Sequence, residues 1–551
     1  MSGVEPAVGR GRAAAWSAAL VPLLGAAIAY LPITRGYFLS DDFIHLYRRV
    51  NDPFLVFVLH PAGGHVLMGW NLAIAATHAL FGTEAAAYFW VVLLAHLVAV
   101  GLLFRTAVRL TASLWIAAVV ALAWGTAPMQ LGTLGWLSVS GQVLATVLLL
   151  AVLASMARVA NGEATLGARP WWWAGASFYA ATCFGMALAT VIVTPFYAWL
   201  TLGPRDRRCA FLVLAPLVAA VPAVYVLDHW VWARLTAFPI GDSVAALEKI
   251  TAPRIVEMLA LLVTQGLAGL LGGPLARRWA PGALMGFQAV ASVVALGALA
   301  LGSPRERRRV VGLLLLAVAA YGAIAAGRAD FYAKLFGDDA LSLGRVAVDR
   351  YQYLASALLA LAVGSIAGIV VRRVRSTTSA RAWVPAWSGP LVLGGVVLWT
   401  AAAPRDADFA RNAAQREQRT NAVLGVMRGD IVATPPGGLA VLRNRSFGPA
   451  GVAMPPWAFP GWAGAFVVFH PRNEVAGRRV LFVDPRPEVL DATRNGRRTA
   501  GLIVAAPPGV SSPPAGQAQR SRTSSRSDSS SSATAGSPAR LCSSAGSSSS
   551  R

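Results

Sequence analysis

Charged residues are scarce in this chain of 551 residues: 13% are Asp, Glu, Lys or Arg, whereas 56% are hydrophobic. Soluble globular domains carry about 25% charged residues, so this composition excludes a chain built mainly of soluble domains. The mean hydropathy is +0.56, and long runs with almost no charge recur between residues 13 and 403. The scarcity of charge therefore predicts a polytopic membrane protein.

Acidic residues and cysteines are scarcer still. The chain has 25 Asp and Glu against 48 Lys and Arg, and Lys249 and Lys334 are its lysines. The arginines lie mostly in short loops between apolar runs, which disfavours nucleic acid as a partner and indicates orientation in a bilayer. Cys183, Cys209 and Cys542 have no metal or disulfide spacing, and we interpret them as small hydrophobic residues.

Apolar runs long enough to cross a bilayer predict about eleven spans. The charge-free stretch 171–202 is either one tilted helix or a hairpin of two short helices. We favour the hairpin, because the arginine-rich loops before and after it should both be cytoplasmic. The run 256–273, which contains Glu257 and Gln265, is expected to be interfacial or re-entrant. The other predicted spans are 13–33, 86–104, 113–127, 136–157, 209–227, 282–302, 310–326, 352–371 and 385–403.

The predicted fold is an all-α transmembrane bundle with a small external α+β domain. Residues 1–12 form a cytoplasmic N-terminus, and residues 13–403 form the transmembrane module with an external loop at 34–85. Residues 404–508 alternate short apolar runs with Gly and Pro, which predicts strands in an extracytoplasmic domain. Residues 509–551 are rich in Ser and are expected to be disordered. The predicted strands are Gly438–Leu442, Ala465–Phe469 and Val480–Val483.

Two polar segments stand out beside the clean spans. In the first external loop, Ser40 is a helix N-cap, Asp41 and Asp42 fall in the first turn, and His45 shares the face of Asp42. Acidic residues there could stabilise the helix dipole or carry chemistry. The second segment, Arg345 to Ser356, places arginines at the external end of a span. They could bind an anion, or Arg345 could pair with Asp349 beside a tyrosine belt.

The order of these motifs resembles the GT-C superfamily of membrane glycosyltransferases, over roughly residues 13–405. The segment from Asp349 to Ser356 resembles the Arg-Tyr-x-Tyr-Leu-x-Ser element of bacterial members and of the multispan O-mannosyltransferases with tetratricopeptide repeats. Within the superfamily, the chain is similar to the protein O-mannosyltransferase and lipid A aminoarabinose transferase group. Two features depart from the family: no Arg-Pro-Leu follows the acidic pair, and no Lys or Glu lies near Phe184–Ala187. The other matching segments are His65-Val-Leu-Met-Gly-Trp-Asn-Leu, Leu80-Phe-Gly-Thr, Leu94-Ala-His-Leu and Gly135-Trp-Leu-Ser-Val-Ser-Gly-Gln.

The resemblance implies transfer of a sugar from a polyprenyl-phosphate donor to an acceptor hydroxyl at the outer face of the cell membrane. Asp41 would be the general base, and Asp42 would orient the acceptor or hold a divalent cation, the one cofactor that the resemblance leaves open. Membrane lipids are partners, and the acceptor is a protein, a glycan or a lipid. The residues that would bind the substrate are His45, His65, Arg345, Arg350, Tyr351 and Tyr353.

Two other functions are consistent with the sequence. One is a transporter or flippase of lipid-linked sugars, and the other is a non-catalytic membrane scaffold that presents the external domain. Transporters place ionisable residues inside several spans, whereas the predicted spans here carry almost none. The sequence therefore favours chemistry at the outer surface over passage.

Overall fold

A computed structural model describes most of the transmembrane region and parts of the C-terminal region. It describes residues 7–39, 41–61, 65–236, 252–271, 281–337, 339, 348–377, 407–435, 438–443, 479–483 and 501–505. The chain divides into two compact units, one made of Met1–Tyr37 and Pro53–Ala414, the other of Phe38–Asp52 and Gln415–Arg551. The predicted span 385–403, the predicted strand Ala465–Phe469 and the tail 509–551 lie outside the described residues.

The first unit is a bundle of helices. The short 3-10 helices are Leu31–Arg35, Pro128–Gln130, Leu137–Val139 and Asp349–Tyr351. The α-helices are α1 Ala7–Tyr30, α3 Phe54–Val58, α4 Met68–Phe81, α5 Ala85–Thr111, α6 Leu114–Gly125, α7 Leu131–Leu134, α8 Gly141–Ala160, α9 Arg169–Ala181, α10 Gly185–Thr201, α11 Pro204–Leu214, α12 Leu217–Thr236, α13 Ala252–Leu271, α14 Pro281–Leu301, α15 Pro304–Phe336 and α16 Tyr353–Thr377.

The apolar helices confirm the coarse prediction of a multi-pass membrane protein. Within the described residues, seven helices are long and apolar enough to cross a membrane, or up to eight if the bent pair Leu114–Gly125 and Pro128–Leu134 is one span. The count of about eleven spans stays a prediction. The seven candidate spans are Trp16–Arg35, Ala85–Thr111, Leu137–Ala160, Pro204–Val231, Ala252–Leu270, Pro304–Asp330 and Tyr353–Val374.

One candidate span differs from its prediction. The run expected to be interfacial or re-entrant forms the continuous helix α13, which meets the same criteria of length and composition as the other candidates. Gln265 and Gly266 face protein: Gln265 accepts a hydrogen bond from the Val348 backbone N–H at 3.4 Å, and Gly266 lies against the hydroxyl group of Tyr321. Such residues allow close helix packing and do not require a break in the helix.

The predicted hairpin at 171–202 is present as two contacting helices, α9 and α10. They have 13 and 17 residues, which correspond to about 20 and 26 Å at 1.5 Å per residue. Three residues, 182–184, separate them. The sequence stretch that could have been one tilted helix is therefore two short ones.

Arginine-rich loops meet at one end of the first unit. This arrangement agrees with the prediction that such loops lie on the same side of the membrane. Side chains from the ends of α5 and α16, the loop after α8 and the start of α15 join there. We call this group the arginine end. Its hydrogen bonds run from Arg109 to Glu163 (2.9 Å), from Arg309 to Asn161 (2.6 Å) and from Arg372 to Glu306 (2.6 Å). Because α15 starts at the arginine end and α16 finishes there, Phe336 and Tyr353 lie at the opposite end of the bundle.

The second unit contains helix α2, Asp41–Asn51, and three strands, β1 Leu439–Arg443, β2 Arg479–Val483 and β3 Gly501–Ala505. The strand order is β1-β2-β3, with β1 and β2 parallel and β2 and β3 antiparallel. Strands β1 and β2 overlap two of the predicted strands, whereas β3 was not predicted. Helix α17, Ala407–Ala433, crosses the division between the two units and was not predicted either.

Candidate functional site

The Arg350 guanidinium group lies in an aromatic cage at the opposite end from the arginine end. Its Nη2 donates a hydrogen bond to the Tyr332 hydroxyl at 2.7 Å. The guanidinium carbon lies 5.2 Å from the ring centre of Trp136, 5.8 Å from that of Tyr332 and 5.1 Å from that of Tyr351. These distances are those of cation–π contacts. Within the described residues, no carboxylate is bonded to Arg350.

The backbone of Arg350 is fixed from two sides. Its carbonyl oxygen accepts hydrogen bonds from Gln142 Nε2 at 2.7 Å and from Thr133 Oγ1 at 3.1 Å. On the other side, a Cβ atom at Gly132 would lie 2.7 Å from the Arg350 backbone nitrogen, so glycine is needed for this close approach. The guanidinium group is therefore carried by a backbone that is held before any ligand binds.

The cage keeps Arg350 charged and its tyrosine partner neutral. Burial opposes the charge of Arg350, but Tyr351 and Tyr332 outweigh burial and raise the pKa of Arg350 above its ordinary value. Burial is also the main reason why the pKa of Tyr332 is raised to about 12. The indole N–H of Trp136 is buried and has no acceptor among the described residues. The cage thus offers a full positive charge and an unused N–H donor to an anion.

A second polar group lies one turn away on α15. Arg328 precedes Tyr332 by four residues, so the two side chains share one face of the helix. Arg328 Nη2 lies 3.4 Å from His65 Nε2. Asp330, which lies between Arg328 and Tyr332 in the chain, forms an ion pair with Arg254 at 2.8 Å. The structure therefore brings His65 and Arg350, two predicted binding residues, to the same face of α15.

His65 is held as a neutral ring. It stacks on Phe184 with ring centres 4.4 Å apart, and it packs so closely on Gly185 that no side chain fits there. Burial, followed by the charges of Arg328 and His229, lowers the pKa of His65 to about 3. Its Nε2 is therefore an acceptor at neutral pH.

The Arg-Tyr-Gln-Tyr-Leu-Ala-Ser segment divides into two parts. Tyr351 belongs to the cage, but Tyr353 is fully buried and its hydroxyl lies 2.7 Å from His96 Nδ1. His96 Nε2 lies 2.9 Å from the carbonyl oxygen of Gly125, so Nε2 carries the proton and Tyr353 donates to Nδ1. Ser356 accepts a hydrogen bond from the Trp124 indole at 3.0 Å. Tyr353 and Ser356 thus connect α16 to its neighbours inside the bundle.

The acidic pair belongs to the second unit. Helix α2 begins at Asp41 as predicted, while Ser40 lies outside the described residues. Asp42 is fully buried, and its Oδ2 accepts a hydrogen bond from the Leu39 backbone N–H at 2.8 Å. Burial lowers the pKa of Arg416, and the negative charge of Asp42 opposes this shift. Asp41 is only partly buried, so it is the more accessible carboxylate of the two.

The two remaining predicted site residues are His45 and Arg345. Burial, together with the charge of Arg48, lowers the pKa of His45 to about 4, so the imidazole ring is neutral at pH 7. Arg345 lies outside the described residues. Within the part of the chain that the structure describes, no three His, Cys, Asp or Glu side chains come together as a metal site. A cation at Asp42 stays a prediction.

The sequence did not point to Arg328, Tyr332 or Trp136 as site residues. A signal existed for the first two, which lie four residues apart just beyond the apolar run 310–326. Trp136 is the first residue of the predicted span 136–157 and belongs to a segment that carries the family resemblance. Its contact with Arg350 joins residues more than 200 positions apart, and no local pattern encodes such a contact.

The fold and the caged arginine define a class: multi-pass helical membrane proteins with a positively charged site at one end of the bundle. No family model, no curated protein and no solved structure matches the chain. Any narrower function has to be argued from the site itself.

Proposed function

We propose that this protein is a membrane glycosyltransferase that moves a sugar from a polyprenyl-phosphate donor to an acceptor hydroxyl at the outer face of the cell membrane. In this proposal, Arg350 binds the phosphate of the donor, and Asp41 accepts the proton of the attacking hydroxyl. The anomeric carbon gains a bond to the acceptor oxygen and loses its bond to the phosphate. The leaving lipid phosphate gains negative charge, which a nearby guanidinium group stabilises.

The observation that carries the proposal is the caged Arg350. Its hydrogen-bond partner is a neutral phenol, so its charge is not cancelled locally. Guanidinium groups bind phosphate with charge-assisted hydrogen bonds, and the unused N–H of Trp136 supplies another donor beside it. Aromatic rings beside such a group also suit the apolar faces of a sugar or an isoprenoid chain.

The distribution of arginines supports an outer-face site. Cytoplasmic loops of membrane proteins are enriched in Lys and Arg, so we assign the arginine end to the cytoplasm. The helix segment from Pro304 to Asp330 has 27 residues, or about 40 Å, enough to cross the hydrocarbon core. The Arg350 cage would then face the outside. We also propose that residues 404–508, with their strands, form a small α+β domain on that side.

The assignment of the base to Asp41 follows from the different settings of the two aspartates. Asp42 is buried and bonded to the backbone N–H of Leu39 just before its helix, which suits a structural or orienting role. Asp41 is the more accessible of the two, and a general base must reach the proton that it removes. A general base contributes roughly 10²–10⁴-fold to the rate.

The test compares Asp41→Asn with Asp206→Asn. Both residues lie in the first turn of a helix and are partly buried, so both variants remove one acidic charge from a similar position. The purified full chain in lipid nanodiscs is incubated with undecaprenyl-phosphate donors that carry labelled hexoses or pentoses, and release of undecaprenyl phosphate is measured. Asp41→Asn should lower turnover roughly 10²–10⁴-fold, whereas Asp206→Asn should not.

The outcomes separate the competing functions. Near-normal turnover by Asp41→Asn contradicts the assignment of the base. If the wild-type protein cleaves none of the donors but moves them intact across a liposome membrane, the protein is a transporter. If it does neither, the scaffold function stands, and exchange of Asp41 and Asp42 for alanine should then leave function intact.

A further inference from the structure

Asp228 is a buried carboxylate whose oxygens have no hydrogen-bond donor among the described residues. Its side chain is 4% exposed, and it lies in the apolar helix α12. Buried polar groups in folded proteins are almost always hydrogen-bonded, because an unpaired buried carboxylate is costly. An ionisable residue of this kind inside an apolar span is by default a functional one.

The position of Asp228 connects it to the candidate site. It lies three residues before the end of the candidate span Pro204–Val231. Val224 and Tyr225, one turn earlier on the same face of α12, line a small pocket. Val66, the neighbour of His65, lines the same pocket. Asp228 therefore lies at the His65 end of the bundle, away from the arginine end.

The electrostatic influence of the neighbouring His229 also indicates that Asp228 is near His65. His229, the next residue in the chain, is close enough to His65 for its charge to lower the pKa of His65. His65 in turn contacts Arg328 on the face of α15 that carries Tyr332. The carboxylate of Asp228 therefore lies near the polar side chains of His65 and Arg328, at the end of the first unit that also carries the caged Arg350.

We propose that Asp228 is a substrate-binding carboxylate that accepts hydrogen bonds from sugar hydroxyl groups. The proposal rests on the function proposed above and names a residue that binds the sugar and not the phosphate. The positive charge of Arg328 at the same end disfavours a metal cation as the ligand, whereas an uncharged hydroxyl donor is not repelled. The hydroxyl groups could belong to the sugar of the donor or to a sugar acceptor.

The test measures binding, so it does not depend on turnover. Affinities of the purified full chain are measured for undecaprenyl phosphate, for undecaprenyl-phosphate hexose and for a methyl hexoside that lacks phosphate. A hydrogen bond to a charged group changes affinity by roughly 10- to 150-fold. If Asp228 binds the sugar of the donor, Asp228→Asn should remove this contribution to the affinity for the hexose-linked lipid. If Asp228 binds a sugar acceptor, the variant should remove the contribution to the affinity for the methyl hexoside. Affinity for bare undecaprenyl phosphate should not change.

Two variants control for folding. Asp228→Leu should keep or raise the melting temperature of the ligand-free protein, because an apolar side chain relieves the cost of an unpaired buried charge. Asp228→Leu should nevertheless lose the part of the affinity that depends on the sugar. Asp206→Asn, on the same candidate span, should behave as the wild type. A lower melting temperature of Asp228→Leu, with this part of the affinity intact in Asp228→Asn, would show a structural role and overturn the proposal.

The remaining outcomes separate this proposal from the proposed function. The wild-type protein could bind hexose-linked and bare lipid phosphate with equal affinity and show no binding of the hexoside. Asp228 then does not bind sugar, even if transfer occurs. If no lipid phosphate binds but the hexoside binds in an Asp228-dependent way, the glycosyltransferase proposal fails and the sugar site stands.

Discussion

The two ends of the first unit use arginine in opposite ways. At the arginine end, guanidinium groups donate to carboxylate and amide oxygens of neighbouring loops, as Arg372 does to Glu306 and Arg309 does to Asn161. At the other end, Arg350 donates to a phenol and lies over three aromatic rings. The first arrangement gives the guanidinium groups oxygen acceptors and holds loops together, whereas the second leaves a fixed positive charge that can attract an anion.

The sharpest test of this contrast replaces one arginine at each end. Arg350→Ala should weaken the binding of undecaprenyl phosphate about 10- to 150-fold, because a charge-assisted hydrogen bond is worth about 1.5–3 kcal/mol. Arg373→Ala should leave this affinity unchanged, since Arg373 lies at the arginine end, where it donates a hydrogen bond to the backbone oxygen of Leu301. Dissociation constants are measured by microscale thermophoresis.

The control is Arg350→Lys. It keeps the charge but loses the planar fork, so it should retain part of the affinity. Equal losses for the variants at both ends would show that phosphate binding follows net charge and not the cage.

A second pair of variants defines how far the binding end reaches into the bundle. Tyr353→Phe removes the hydroxyl that donates to His96, which leaves a buried acceptor unpaired. We expect a loss of about 1–2 kcal/mol in the free energy of unfolding, with the affinity for undecaprenyl phosphate unchanged. Tyr351→Phe changes a tyrosine of the cage and should instead lower this affinity by a few-fold. Chemical denaturation and binding assays are run on both variants, and a reversed pattern would place Tyr353 in the site.

The smallest expected effect is the pH dependence that His65 gives to the binding end. Its pKa falls from an ordinary value of 6.5 to about 3 in the folded protein, so between these values the unfolded chain binds the proton and the folded protein does not. Stability should therefore fall as pH drops below 6.5. Between pH 7.5 and 5.5, the wild type should lose about 1 kcal/mol more unfolding free energy than His65→Gln.

The His65→Gln comparison has an internal control, because His45 and His96 are present in both proteins and their contributions cancel. Thermal unfolding is followed at the two pH values. An identical pH dependence in both proteins would mean that His65 titrates normally in the fold.

The sequence predicted those features that charge placement controls. The short hairpin follows from the arginines that flank it, among them Arg169 and Arg205, because a bilayer forces charged loops to one side or the other. The common side of the arginine loops follows in the same way from Arg109, Arg309 and Arg372. Helix α2 followed from its acidic first turn and apolar spacing. In these places, local pattern and membrane constraint agree.

The rest depended on contacts between distant parts of the chain. Spacing alone gave Tyr351 and Tyr353 the same role, but the 3-10 helix ends at Tyr351 and α16 begins at Tyr353, so the two side chains diverge. Arg328 looked like an ordinary charge beyond a span until the fold placed His65 against it. Asp228 belongs to no motif, and only the fold reveals its burial without a donor among the described residues.

The short hairpin has a consequence for the lipid beside the site. Helices of about 20 and 26 Å are shorter than a hydrocarbon core of about 30 Å, so lipids around a hairpin that crosses the bilayer must thin to match it. The tip of the hairpin carries Phe184, which stacks on His65. A local dip in the bilayer would lower the headgroup layer towards this tip. A long isoprenoid phosphate could then reach the bundle while its tail remains in hydrocarbon.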